Sequence, residues 1–142
     1  MKRILVVDGM GGGMGKVLVA AIKERIPDAE LVACGTNALA TQAMLKAGAQ
    51  VAVTGENAVL YQAARCQAIC GPLGIVIPNA LQGEFSTRMA EAIASADAPK
   101  FLLPVRKRQI ILAVPEPASV NEAVALLLDQ LEAFWRGNDV EE

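Results

Sequence analysis

Short runs of consecutive apolar residues recur along the chain, separated by stretches whose apolar residues return every three or four positions. A run of consecutive apolar residues is typical of a strand that is buried on both faces, as in a parallel sheet. The runs predict strands over residues 4–7, 30–34, 51–54, 68–70, 101–105 and 109–114. Residues 73–82 fit either a short helix or an extended segment, and their periodicity does not decide between the two.

The stretches between these runs predict helices with clear start and stop signals. The first helix follows a glycine-rich turn and stops at Pro27, and Asn37 can cap the second. Ser119 and Glu122 form a capping box at the start of the last helix. The predicted helices end near residues 26, 46, 65 and 96, and the apolar face of the last one extends to residue 134.

Strands that alternate with helices predict a parallel sheet with right-handed crossovers and helices on both faces. The last two predicted strands should instead form a hairpin, because the residues around Arg106 are too few for a parallel crossover. We therefore expect a three-layer, Rossmann-like α/β domain over residues 1–136, followed by a loose acidic tail over 137–142. Its mostly parallel sheet should have five to six strands, including a C-terminal hairpin strand. The strand orders 3-2-1-4-5 and 2-1-3-4-5 both satisfy the connection rules.

The composition supports one globular domain with an aliphatic core. Of the 142 residues, 54% are hydrophobic and 20% are charged, which excludes a disordered chain. A net charge of −2 gives no general attraction to nucleic acid or to an anionic membrane. The apolar run after the N-terminus is too short for a signal peptide, so we expect a cytoplasmic protein. Three cysteines without any histidine provide neither a disulfide framework nor a zinc site, and no metal is expected.

A glycine-rich turn, here called the glycine loop (residues 9–16), connects the first strand to the first helix. It contains Gly9, Met10, Gly11, Gly12, Gly13, Met14, Gly15 and Lys16. Backbone N–H groups and the helix dipole favour an anion at such a turn, and glycines let a pyrophosphate approach the backbone closely. Gly9, Gly13 and Gly15 give a spacing that resembles the cofactor loop of short-chain dehydrogenases. The alternative is a turn that needs glycine for its conformation alone.

Two other nucleotide-binding patterns are not matched at this loop. The strict G-x-G-x-x-G spacing fails because Met14 stands where a glycine is needed after Gly9 and Gly11. The Walker pattern of P-loop NTPases fails because Met10 replaces its first glycine and Val17 replaces its Ser or Thr. Dinucleotide binding is therefore favoured over NTP hydrolysis.

Polar residues follow the predicted strands at the same edge of the sheet. Thr36 and Asn37 come after the second strand, where dinucleotide-binding domains usually carry an acid for the ribose hydroxyls. Neither an acid nor an arginine stands there, which weakens both a standard NAD contact and an NADP contact, so NAD or NADP stays a candidate cofactor only. Thr54 and Asn57 follow the third strand, where they bind a ligand or cap a helix.

Charged residues near this edge are candidates for phosphate contacts and for chemistry. Arg106 reaches the edge of the glycine loop if the fifth strand runs parallel to the first, and it can contact a phosphate there. Asp8, Glu56 and Glu84 are the candidate acids, and Asp8 or Glu56 could serve as a general acid or base. An acid beside a phosphate site repels the phosphate unless the acid binds a ribose, a metal or a protonated group.

Five short blocks are spread over nearly the whole chain. They are Asp8-Gly9-x-Gly11-Gly12-Gly13, Gly35-Thr36-Asn37-Ala38, Thr54-Gly55-Glu56-Asn57-Ala58, Gly71-Pro72-x-Gly74-Ile75 and Gly83-Glu84. Together they resemble a family of short bacterial proteins that is known as a domain of unknown function. The resemblance implies a stand-alone, bacterial, Rossmann-like domain. It implies no activity, substrate or catalytic residue.

These observations favour a nucleotide-binding domain, above all for a dinucleotide, in which Gly11, Gly12, Gly13 and Lys16 hold phosphate. One alternative is a small-molecule enzyme that uses Asp8 or Glu56. Another is an interaction module without catalysis, whose charge-free stretch over residues 66–83 covers an interface. The same stretch could instead lie in the protein interior. A single Rossmann-like unit leaves a sheet edge exposed, so we expect a homodimer.

Overall fold

The strands form where apolar residues follow one another without interruption. The structure of the chain, a computed structural model, describes residues 2–105 and 110–137. Its strands are β1 (Arg3–Asp8), β2 (Glu30–Gly35), β3 (Val51–Thr54), β4 (Ala68–Pro72) and β5 (Lys100–Leu103). Each of them lies where an apolar run predicts a strand, with ends that differ by at most two residues.

The helices begin and end at the signals present in the sequence. They are α1 (Gly13–Arg25), α2 (Ala38–Ala47), α3 (Glu56–Ala63), α4 (Thr87–Ala94) and α5 (Val120–Trp135). Asn37 caps α2 by accepting a hydrogen bond from the Ala40 amide, and Ser119 caps α5 in the same way. A short 3-10 helix, Leu73–Val76, follows β4. None of the helices in the described ranges is long and apolar enough to cross a membrane.

The sheet has five parallel strands in the order β3-β2-β1-β4-β5. Of the two strand orders that the sequence allowed, the Rossmann-type order is thus the one adopted. The chain reverses its direction of winding between β1 and β4, and in open α/β sheets ligands bind outside the carboxyl ends of the strands at such a point. The glycine loop follows β1 at this position.

The central strand β1 is completely buried from Ile4 to Val7, and its side chains alternate between two cores. Ile4 and Val6 pack with α1 and α5 on one face, while Leu5 and Val7 pack with α3 and α4 on the other. The three-layer, Rossmann-like α/β architecture is confirmed.

The predicted sixth strand over 109–114 is wrong for the residues that the structure describes. Within 110–114, Ile110 forms one isolated bridge and the rest belong to no strand. A strand must bury one face to be stable, whereas Ile111 is 91% exposed, and Pro115 and Pro117 lack the N–H groups that a ladder needs. The predicted hairpin is therefore not part of the sheet. Arg106 and the rest of its turn lie outside the described residues.

The charge-free stretch over 66–83 begins in the interior and ends at the edge of the sheet where the strands have their carboxyl ends. Residues 68–72 are fully buried in β4, which confirms the interior location for that part. Residues 77–86, here called the β4–α4 turn, then fold back, with the Asn79 amide 2.8 Å from the carbonyl oxygen of Phe85. Asn79, Leu81 and Gln82 have positive φ angles in this turn, a conformation that L side chains rarely adopt. The turn carries Leu81 and Glu84 onto the glycine loop.

The glycines of the loop fall into two groups by their surroundings. A β-carbon on Gly9 would lie 2.5 Å from the Thr36 hydroxyl oxygen, and one on Gly15 would lie 2.6 Å from the Met44 sulfur. Gly12 has φ +71° and lies against the backbone of Ala40 in α2. Gly11 and Gly13, in contrast, face open space. Gly9, Gly12 and Gly15 are thus needed for packing, whereas nothing in the fold requires glycine at 11 and 13.

This division predicts opposite effects for two neighbouring substitutions. Gly15→Ala should lower the free energy of unfolding by about 1–3 kcal/mol, because its methyl group collides with Met44 and with Asp8. Gly13→Ala should leave stability unchanged or raise it by up to about 1 kcal/mol, because the methyl group meets no atom and restricts the unfolded chain. Urea denaturation of both variants measures the difference. Equal stability of the two variants would contradict this account of the loop.

Candidate functional site

The carboxyl ends of the strands meet the N-termini of the helices at one edge of the sheet. Side chains cap three of these helices: Asn37 caps α2, Ser86 caps α4 and Ser119 caps α5. Helices α1 and α3 differ, because their N-cap residues are Gly12 and Gly55 and no side chain caps them. The partial positive charge at the start of α1 is therefore met by groups from elsewhere.

Asp8, at the end of β1, meets part of that charge. Its Oδ1 accepts a hydrogen bond from the Gly9 amide at 2.8 Å, and its Oδ2 accepts one from the Gly15 amide at 2.7 Å. The residue is only 5% exposed. Burial raises the pKa of Asp8, while hydrogen bonds from the loop amides act in the opposite direction. Both oxygens thus hold the inner side of the glycine loop.

Glu84, from the β4–α4 turn, binds the outer side of the loop. Its Oε1 accepts hydrogen bonds from the Met10 amide at 2.7 Å, from the Thr36 hydroxyl and from Asn37 Nδ2 at 3.1 Å. Its Oε2 accepts a second bond from Asn37 Nδ2 at 3.2 Å. The hydrogen bond from Thr36, then those from Met10 and Asn37, lower the pKa of Glu84. An ionised, exposed carboxylate therefore stands at the end of β2.

This carboxylate lies at the end of β2, where dinucleotide-binding domains usually carry an acid and where the residues that follow β2 in this sequence include none. Thr36 and Asn37 follow β2 directly, and the acid that joins them comes from 48 positions beyond Thr36. The sequence marks Glu84 as a candidate acid without placing it in the binding site. No spacing rule reveals the contact, because it depends on the path of the β4–α4 turn. The Gly83-Glu84 block was the one signal available.

Gly11, Gly13 and Lys16 form the open part of the loop. Within the described part of the chain, no hydrogen bond reaches the amide of Gly11 or of Gly13. Both glycines and Lys16 are exposed. Met14, the residue after Gly13, is half-buried and packs toward α5. Two amides are thus available to an anion on this side of the loop, and the exposed Lys16 lies in the first turn of α1.

The remaining predicted residues lie at a different corner of the edge. The Thr54 hydroxyl lies 2.7 Å from the Thr41 hydroxyl, which ties β3 to α2. Glu56 accepts a hydrogen bond from Ser86 and lies 3.6 Å from an Arg88 nitrogen, so its contacts are with α4. Asn57 is exposed in the first turn of α3. The N-cap of this helix is Gly55, so the prediction that Thr54 or Asn57 caps it is wrong. None of these contacts involves the glycine loop.

The family model described as a domain of unknown function, DUF3842, matches residues 3–136. The chain belongs to this family. The match confirms the resemblance inferred from the five sequence blocks. Because the description of the family names no activity, any functional conclusion must come from the residues themselves.

Similarity beyond the family is confined to distant structures. No curated protein matches the chain. Among solved structures, one similar chain is a dodecameric FMN-dependent UbiX-like decarboxylase from Escherichia coli O157:H7. It is 18% identical, the alignment covers 93% of this chain and 94% of that chain, and the TM-score is 0.44. At this distance the similarity carries no functional argument.

The two hydrogen bonds of Asp8 predict that Asp8→Asn destabilises the protein. The Gly9 and Gly15 amides bind different oxygens of Asp8, and in asparagine one of these oxygens becomes an NH2 group, which cannot accept. A buried amide left without an acceptor costs about 1–3 kcal/mol. Thermal or urea unfolding measures the loss, and Asp97→Asn, at an exposed site, is the control with no expected change. Unchanged stability in Asp8→Asn would show that Asp8 does not hold the loop.

The pH dependence of this difference has a definite sign. Because the pKa of Asp8 is raised in the folded protein, its folded state binds a proton more tightly than the unfolded chain does. The wild type should therefore gain stability relative to Asp8→Asn as pH falls through the raised pKa toward about 4, the unfolded-state value. Unfolding of both proteins across this pH range measures the trend. The opposite trend would indicate a lowered pKa.

Proposed function

We propose that this edge binds a nucleotide, with phosphate on the open side of the glycine loop and the ribose at Glu84. Among the candidate cofactors, we propose NAD rather than NADP. The observation that carries the proposal is the exposed Glu84 carboxylate, held at the end of β2 beside the start of α1. In Rossmann domains an acid in this place binds the hydroxyls of the adenosine ribose.

The phosphate part of the proposal rests on Gly11 and Gly13. Their amides have no partner within the described residues, and open space surrounds them, so an anion can approach the backbone without meeting a side chain. The start of α1 adds its partial positive charge, and Lys16 adds a full one within the first turn. Asp8 accepts hydrogen bonds from the Gly9 and Gly15 amides on the inner side of the loop, and the amides of Gly11 and Gly13 are left for a ligand.

The ribose part of the proposal rests on the unused lone pairs of Glu84. An ionised carboxylate accepts about four hydrogen bonds in total. Its Oε2 accepts one bond here, from Asn37, and that bond is long at 3.2 Å. A ribose hydroxyl can donate to this oxygen, and the lowered pKa keeps the acceptor charged. The same charge repels the 2′-phosphate of NADP, which distinguishes the two cofactors.

Substitution of Gly13 tests the phosphate site. Gly13→Asp places a carboxylate where the phosphate would lie and should weaken the binding of both ADP and NADH at least tenfold, by about 1.4 kcal/mol or more. Gly13→Ala, which adds a methyl group but no charge, should weaken binding less than Gly13→Asp and so separates the steric effect from the electrostatic one. Isothermal titration calorimetry on protein freed of copurified small molecules measures both. If neither ADP nor NADH binds to the wild type, the proposed function is wrong.

Substitution of Glu84 tests the ribose site and the choice of cofactor. Glu84→Gln keeps the shape of the side chain but removes its charge, so NADH should bind several-fold more weakly while NADPH should bind more tightly than to the wild type. Glu91→Gln, on the exposed face of α4, is the control for a lost surface carboxylate. The NADH-to-NADPH affinity ratio is the readout. A ratio that stays constant in Glu84→Gln would exclude a ribose contact.

A further inference from the structure

A recess of about 300 Å³ opens on the other side of the glycine loop from Glu84. It lies where β5 ends and α5 begins, with α1 as its third wall. The residues that form its walls include Met14, Leu103, Val105, Pro117, Val120 and Ala123. Since β1 stands between β2 and β4 in the sheet, the loop that follows β1 separates this recess from the carboxylate at the end of β2.

The walls of the recess suit a largely apolar group. Leu103 and Ala123 are buried and form the inner part, whereas Val120 is 48% exposed at the mouth. Two lining residues are polar. The Ser119 hydroxyl oxygen already accepts the Glu122 amide at 3.1 Å, and Glu116 adds a carboxylate to an otherwise apolar lining. Ligand sites usually range from about 300 to 1,000 Å³, so a recess of this volume is sized for one small ring system.

The recess adjoins the phosphate site along the chain. Met14 is a wall of the recess and directly follows Gly13, whose open amide is part of the proposed phosphate site. In the proposed binding mode, the far end of a diphosphate on the loop points to the recess, and the near end carries its ribose to Glu84. The loop thus has a hydroxyl-binding side and an apolar side.

We infer that the recess between the end of β5 and the start of α5 holds the second, ring-bearing half of the dinucleotide. This inference rests on the proposed nucleotide binding. A mononucleotide would leave the apolar walls around Met14, Leu103 and Val120 in contact with water. A nicotinamide-sized ring removes that apolar surface from water, which favours binding.

The test compares NADH with ADP-ribose, which has the diphosphate and both riboses but lacks the nicotinamide ring. Wild-type protein should bind NADH more tightly than ADP-ribose. Val120→Trp fills the mouth of the recess and should weaken NADH binding about tenfold, with ADP-ribose affinity unchanged. Val120→Ala, which leaves the mouth open, should retain the preference for NADH. Leu126→Trp is the matched control, because Leu126 is similarly exposed on α5, at 52%, but does not line the recess.

The outcomes separate this inference from the proposed function. Equal wild-type affinities for NADH and ADP-ribose would overturn the inference and leave nucleotide binding intact. The same conclusion would follow if Val120→Trp weakened both compounds equally, or if Leu126→Trp had the same effect as Val120→Trp. Absence of binding for both compounds would overturn the proposed function and, with it, the inference.

Discussion

The buried carboxylate of Asp8 determines the shape of the glycine loop, and the geometry of the edge depends on it. It accepts hydrogen bonds from the backbone amides at both ends of the turn, Gly9 and Gly15. These bonds hold the start of α1 against the end of β1. The close approach needs glycine at both positions, because a β-carbon would collide with Thr36 or with Met44. Burying a charge is unfavourable unless it is hydrogen-bonded, and these amides offset part of that cost, because the pKa of Asp8 stays raised.

A second carboxylate fixes the loop from the opposite side. Glu84 joins the Met10 amide to Thr36 and Asn37, so three segments that are distant in sequence meet at one group. Asn37 contributes twice, since its oxygen caps α2 while its nitrogen bonds the Met10 carbonyl oxygen at 2.9 Å. The interpretation of Asn37 as an ordinary helix cap is thus correct but incomplete.

The parts of the structure that depend on local pattern were predictable from the sequence, and those that depend on the path of a turn were not. The apolar run at residues 4–7 specified β1 and its burial, and Ser119 specified the start of α5. The run at 110–114 misled because strand propensity does not show whether a segment buries one of its faces, and Ile111 is 91% exposed. Glu84 escaped assignment because three residues with positive φ in the β4–α4 turn redirect the chain, a path that periodicity does not encode.

The two acids, Asp8 and Glu84, lie in opposite environments. A ligand at this edge would therefore meet Glu84 as well as the glycine loop. Burial raises the pKa of Asp8, whereas hydrogen bonds lower that of Glu84, so the exposed acid is the one that keeps its charge most firmly. A free phosphate ion would meet attraction from the amides of Gly11 and Gly13 but repulsion from Glu84. A molecule that presents an anion to the loop and a hydroxyl donor to Glu84 meets attraction at both, and a ribose carrying a diphosphate has this combination.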